Sequence, residues 1–297
     1  ELEVLNLDGH PVTADVLASS GLRSVSLGHR SVDDNVAKRL SELADLQQLH
    51  LSFTGITDEG LKPLGALQQL RHLDLGSHVI TDAGVVAFEK HPTLSYVNLR
   101  LTKLTDAGVK SVATIPRLEN LSLWRGVELG SDPVGPSLTI AGLRPLVDAP
   151  NLRVLSITNW RGHDSWLALR EFKRLERLSF TMCDVPQSEV DGLDDELPDT
   201  LIVNATGGGG VIRPAALEKQ QRLLERARKK AAAAKDSDEF RSASKRVLTT
   251  IGGEDENGEI ARRATAEPQA QWPGRRLIGV PADRHDECGQ HGGAGEQ

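Results

Sequence analysis

The sequence predicts an α/β solenoid: a right-handed stack of short parallel strands and short helices, followed by a helical and then disordered C-terminal tail. Three observations predict it. An apolar string, L-x-x-L-x-L or a near variant, recurs nine times, with its middle residue at Leu5, Val25, Leu49, Leu73, Val97, Leu121, Leu155, Leu178 and Leu201. The intervals between these residues are 20, 24, 24, 24, 24, 34, 23 and 23, a period typical of stacked repeats. A second string, Ile56-Thr57-Asp58-Glu59-Gly60-Leu61, returns in step as Ile80-Thr81-Asp82-Ala83-Gly84-Val85 and Leu104-Thr105-Asp106-Ala107-Gly108-Val109, with weaker copies at Val32-Asp33-Asp34 and Leu138-Thr139-Ile140-Ala141-Gly142-Leu143.

Each string implies one element. Alternation of apolar and polar residues in L-x-L suits a short strand that sends every second side chain inward. The Thr-Asp pair that follows supplies oxygens to cap a helix, with acid favoured at the positive end. Leu61, Leu64 and Leu67, three apart, then share one helical face that packs behind the strand. Pro63 and Pro145 each remove a helical hydrogen bond, so short or irregular helices are expected. A single unit cannot bury its apolar face alone, which makes stability a property of the stack. The chain opens at Glu1, inside a strand string and without Met, so an upstream segment is expected.

Composition narrows the function classes. Lys and Arg number 35 against 42 Asp and Glu, for a net charge of -7, and they form no basic face, so no nucleic-acid partner is expected. No run of 18 apolar residues offers a membrane segment, and no signal-peptide pattern assigns a compartment. Cys183 and Cys288 lie in neither a disulfide framework nor a zinc-ligand spacing, and no cofactor or metal is expected.

The strand string, the I-T-D-x-G-L string and the following leucines resemble the ribonuclease-inhibitor-like and cysteine-containing classes of the leucine-rich repeat superfamily, over about residues 1–204. The resemblance implies a curved solenoid with parallel strands on the concave side and helices on the convex side. The chain departs from it three residues after the last strand apolar, where Asn or Cys is usual. Thr54, His78, Thr102, Gly126, Trp160 and Cys183 stand there, so the later repeats are expected to be less regular.

The 34-residue interval holds about ten extra residues near 125–137, a loop by its Gly, Pro, Ser and Asp content. After residue 204 the composition changes. A Gly-rich hinge is expected at 205–212, with no Lys-Ser or Lys-Thr after Gly207–Gly210 to make a phosphate loop. A charged helix, more solvated than packed, follows over 213–250, and a disordered tail over 251–297.

Residues beside the strand leucines should point out of the strand face. The central ones, Tyr96, Asn98, Arg100, Asn120 and Trp124, with Arg125, Asp74 and His72 at the margins, form the expected partner-binding patch, since Tyr, Trp and Arg are frequent interface anchors. The inserted loop leaves the sheet beside this patch. The expected function is a non-catalytic protein-protein interaction module with an unidentified protein partner. Two alternatives stay open: the recognition part of a larger ubiquitin ligase or kinase type protein, and a hydrolase or metal enzyme using His50, His72 and Asp74. Cys288, followed by Gly289 and Gln290, lacks the C-x-D nucleophile motif of bacterial ligases that carry such repeats.

Overall fold

A computed structural model describes residues 3–13, 17, 21–77, 79–124, 138–160, 165–205 and 218–226. Nine strands, β1 (Val4–Asn6), β2 (Ser24–Ser26), β3 (Gln48–His50), β4 (His72–Asp74), β5 (Tyr96–Leu99), β6 (Asn120–Trp124), β7 (Val154–Thr158), β8 (Arg177–Thr181) and β9 (Leu201–Ala205), form one sheet among the described residues. They lie in sequence order, every neighbouring pair parallel. The register follows the apolar period: Leu5, Val25, Leu49, Leu73, Val97, Leu121 and Leu155 are successive partners, and Leu155 pairs with Leu178. Val25, Leu49, Leu73, Leu155 and Leu178 are fully buried, in one continuous core running through the stack.

The last strand departs from the sequence expectation. Ile202, not Leu201, pairs with Leu178, so Leu201 and Val203 take the outward positions that Arg177 and Ser179 hold on β8. Three consecutive apolar residues, Leu201-Ile202-Val203, carry no alternation to set the phase. The Thr200 hydroxyl donates to the Leu175 carbonyl at 2.6 Å and fixes the shifted register.

Helices α1 (Asp34–Leu40), α2 (Asp58–Leu64), α3 (Asp82–Val85), α4 (Asp106–Ala113) and α5 (Gln187–Glu196) pack behind the strands. As Pro63 and Pro145 suggested, they are short. Pro63 sits next to the last residue of α2, and Pro145 lies in a 3-10 segment, Ala141–Asp148, with a second 3-10 segment at Trp166–Glu171.

The Thr-Asp-x-Gly string divides its labour in a way the sequence did not reveal. Thr57, Thr81 and Thr105 cap their own helices by accepting from Glu59, Ala83 and Ala107 N–H. The Asp beside each reaches the next repeat. Asp58 accepts the Thr81 N–H at 2.9 Å and its hydroxyl at 2.6 Å, and Asp82 does the same for Thr105 at 2.9 and 2.6 Å. Asp34 to Thr57 and Asp106 to Thr139 continue the ladder, the latter across the inserted segment. The glycine makes room for it: a Cβ on Gly60, Gly84, Gly108 or Gly142 would lie 1.8–2.4 Å from the carboxylate of the preceding repeat.

Among the described residues at the place after each strand where Asn or Cys is usual, Thr54 and Thr102 depart, Trp160 departs with its ring buried against Trp166, and Cys183 is of a usual type. Thr54 and Thr102 donate to the carbonyls of Leu51 and Leu99 at 2.9 and 2.7 Å, and the Cys183 thiol donates to the Ile157 carbonyl at 3.4 Å. His78 and Gly126 lie outside the described residues.

The expected charged helix is described over 218–226, where one face is packed and the remainder is exposed. Leu223, 7% exposed, covers Leu201, with Leu224 and Val203 beside them. The Lys219 ammonium lies 2.6 Å from Asp194 and 3.1 Å from the Leu197 carbonyl, and Arg226 pairs with Asp199 at 2.9 Å. The outward apolar face of β9 explains the docking: it would otherwise meet water. Of the hinge expected at 205–212, Ala205 instead ends β9, because the strand continues its pairing with β8; residues 206–212, the rest of the 213–250 helix and the tail from 251 lie outside the described residues.

Candidate functional site

Three rows of side chains cross the outward face of the sheet, because parallel strands in register place equivalent residues side by side about 4.8 Å apart. The first row runs Gln48, His72, Tyr96, Asn120, Val154, Arg177. The second runs His50, Asp74, Asn98, Ser122, Ser156, Ser179. In the third, Trp124 pairs with Thr158, and Arg100 precedes Trp124.

The centre of this face is built by ring contacts and hydrogen bonds. The His72 and Tyr96 rings stack with centroids 3.8 Å apart and planes 9° from parallel, and His50 tilts against His72 at 4.6 Å. The Arg100 guanidinium lies over the Trp124 ring at 5.3 Å, a cation-π distance. Asp74 joins the strands on either side: its carboxylate accepts from the Ser52 hydroxyl, from the Asn98 amide at 2.9 Å and from the Gly76 N–H at 3.2 Å. Asn98 in turn accepts the Arg100 N–H at 3.1 Å. These bonds orient the second row without using the Arg100 head group, which stays exposed.

The sequence-derived patch therefore falls on three adjacent strands. His72 and Asp74 lie on β4, Tyr96, Asn98 and Arg100 on or next to β5, and Asn120 and Trp124 on β6. Arg125 and the inserted segment 125–137 lie outside the described residues. Ser52 and Gly76 complete the Asp74 network; alternation marked both as outward, but nothing in the sequence marked them as its partners. Phe53 and Leu101, in the turns after β3 and β5, were not foreseen. They hold left-handed backbone, φ 61° and 62°, a conformation no sequence rule assigns to Phe or Leu.

The His50, His72 and Asp74 trio is brought onto neighbouring strands, with Asp74 engaged by Ser52, Asn98 and Gly76. Among the described residues no group of three His, Cys, Asp or Glu is placed to hold a metal ion. Burial pushes the Cys183 thiol up to about 11, which keeps it protonated near neutral pH. Burial also lowers the titration of His91, on the turn behind β5. The Leu94 N–H points at its Nδ1 at 3.3 Å, which leaves the proton on Nε2, 3.1 Å from the Leu67 carbonyl. Its place in the core is structural. No helix among the described residues is long and apolar enough to cross a membrane.

The family model for the leucine rich repeat matches residues 43–65, 66–88 and 90–113, the regular units around β3 to β5. Over these residues the chain carries leucine-rich repeats. No curated protein matches it. Among solved structures it is similar to an internalin from Listeria monocytogenes, at 18% identity over 75% of this chain and 65% of that one, with a TM-score of 0.45. It is also similar to a leucine-rich repeat protein of Leptospira interrogans, at 19% identity over 66% and 54%, TM-score 0.43. A protein of Bacteroides fragilis is similar at 18% identity over 70% and 66%, TM-score 0.47. The chain spans less than two thirds of each of these three. Proteins of the superfamily commonly mediate protein-protein interactions and are typically non-catalytic.

Proposed function

We propose that this chain is a non-catalytic interaction module that holds a partner protein on the outward strand face. The central patch is Tyr96, Asn98, Arg100, Asn120 and Trp124, with His72 and Asp74 at its margin; Arg125 and the inserted segment 125–137, which follow Trp124 in sequence, are proposed to take part. The repeats over 1–204 form the recognition unit. One observation carries the reading. Two ring-based contacts, His72 on Tyr96 and Arg100 on Trp124, hold large side chains in set positions on adjacent strands. Side chains already ordered before binding lose less conformational freedom on association, and Tyr, Trp and Arg are the types that carry most interface energy.

Trp124→Ala in the full chain tests this, with partners recovered from the source cells and quantified against wild type. Removing a central Trp is expected to weaken the interaction by about 2 kcal/mol, roughly 30-fold in affinity. Unchanged recovery with an intact fold would remove the patch from consideration.

A further inference from the structure

Four successive strand exits, residues 27–32, 51–56, 75–77 with 79–80, and 99–104, lie along one edge of the sheet, beside the strand face and sharing Arg100 with it. They are bonded rung to rung: Gly55 N–H to the Val32 carbonyl, Phe53 N–H to Gly76 and Lys103 N–H to Ile80, each at 2.8 Å. The row is therefore as fixed as the strands it follows.

Two properties of this edge do not serve the fold. Phe53 and Leu101 occupy left-handed backbone at the same place in the repeat, φ 61° and 62°, where a side chain with a Cβ is disfavoured. Phe53 is also 63% exposed, so no packing demands its ring, and Val79 on the exit between them is 48% exposed. The equivalent place is left-handed after β7 and β8 as well, at Asn159, φ 55°, a residue type that takes this conformation more readily, and at Met182, φ 54°, so the turn belongs to the repeat and only the choice of an exposed Phe goes unexplained by it. Asn or Gly at position 53 would relieve both the backbone cost and the exposed apolar surface.

The second property is charge. In a chain of net charge -7, the four exits contain Arg30, Arg100 and Lys103 and no Asp or Glu. None of the three cations has a carboxylate partner among the described residues. Two carboxylates reach the edge and are taken up by other donors than its cations: Asp8 accepts the Gly28 N–H at 2.7 Å, and Asp74 accepts from the Ser52 hydroxyl and the Gly76 N–H. The acids that follow in sequence are engaged elsewhere. Asp34, Asp58, Asp82 and Asp106 accept from the Thr of the next repeat, and Asp33 caps α1.

We propose that this edge docks an acidic segment of a partner protein that also carries apolar side chains. Phe53, Val79 and Leu101 receive the apolar groups; Arg30, Arg100 and Lys103 receive the carboxylates. Charge complementarity selects the occupant. The strained, exposed Phe53 is retained for the contact, in the way binding sites keep backbone strain that stability alone would remove. This edge adds to the strand-face reading and does not require it.

The test selects a phage-displayed library of random twelve-residue peptides against the full chain, then measures the selected peptides on variants by fluorescence anisotropy. The selected sequences are expected to be enriched in Asp and Glu together with Leu, Phe or Trp. Phe53→Asn and the double variant Arg30→Gln/Lys103→Gln are each expected to weaken their binding about fivefold or more, while Phe53→Asn leaves Tm unchanged or raises it. Lower Tm in Phe53→Asn would make the ring structural and overturn the proposal. Selection of basic or uncharged peptides, no selection at all, or equal binding by the variants would overturn it too. So would binding to phosphatidylserine vesicles that Phe53→Asn abolishes, which would assign the edge to a membrane surface. Because Trp124 lies outside this edge, loss of partner recovery in Trp124→Ala with normal peptide binding to Phe53→Asn sinks the edge alone, and the reverse pattern sinks the strand-face reading alone.

Discussion

Replacing Gly84 with Ala tests whether the Asp-to-Thr ladder couples one repeat to the next. In an ordinary helix this substitution gains about 0.5–1 kcal/mol, because Gly has more backbone freedom to lose. Here the added methyl would lie 2.4 Å from Asp58 Oδ1 and 3.0 Å from Leu61 Cδ1, so the carboxylate must move. Moving it breaks two bonds from Thr81, at 2.9 and 2.6 Å. Hydrogen bonds to a charged group contribute about 1.5–3 kcal/mol each, and this site is only partly buried, so the lower end applies. The gross loss is about 3 kcal/mol and the net about 2 kcal/mol. For a repeat array of this size that lowers Tm by roughly 4–8 °C. The assay is thermal and urea unfolding followed by circular dichroism, carried out as a double-mutant cycle with Asp58→Ala. With the carboxylate gone the methyl has space, so Gly84→Ala should become neutral or stabilising. An equal cost in both backgrounds would refute the ladder as the reason for the glycine.

Two other outcomes follow from buried groups. His91 titrates below its ordinary value when folded, so between about pH 6.5 and the lower folded value the unfolded chain binds a proton that the folded chain does not. The folded state therefore loses stability as pH falls through that window, and urea midpoints should drop more from pH 7 to pH 5 in wild type than in His91→Gln; parallel curves would contradict this. Leu223→Asp should release helix 218–226 and uncover Leu201, lowering Tm and raising binding of an apolar dye, whereas an unchanged Tm would mean the helix contributes nothing to the last repeat.

Much of the fold was legible because one physical rule, apolar alternation, repeats in step with a helix-capping Thr. The strand positions from Leu5 to Leu178 could be read from that rule alone, and so could the helix starts at Thr57, Thr81 and Thr105. It failed at Leu201-Ile202-Val203, where all three residues are apolar and the register was set by Thr200 and by a helix some twenty residues later. The role of the Asp in each repeat was hidden for a different reason: its partner lies in the next repeat, and sequence shows only that the two recur. The outward residues of the patch followed from alternation, and the proximity of Tyr96, Arg100 and Trp124 from strand spacing. The pairing of His72 with Tyr96 and of Arg100 with Trp124 depends on rotamers, and the left-handed Phe53 on a turn geometry that its residue type argues against.

The account rests on the strand face being the side that meets the partner. A photo-activated cross-linking residue at Ser122, between Asn98 and Ser156 in the second row, samples that face, and one at Lys110 on α4 samples the helical side. With each variant exposed to source-cell extract under light, a partner band is expected from Ser122, lost when Trp124→Ala is added, and absent from Lys110. A partner cross-linked from Lys110 and not from Ser122 would contradict the account.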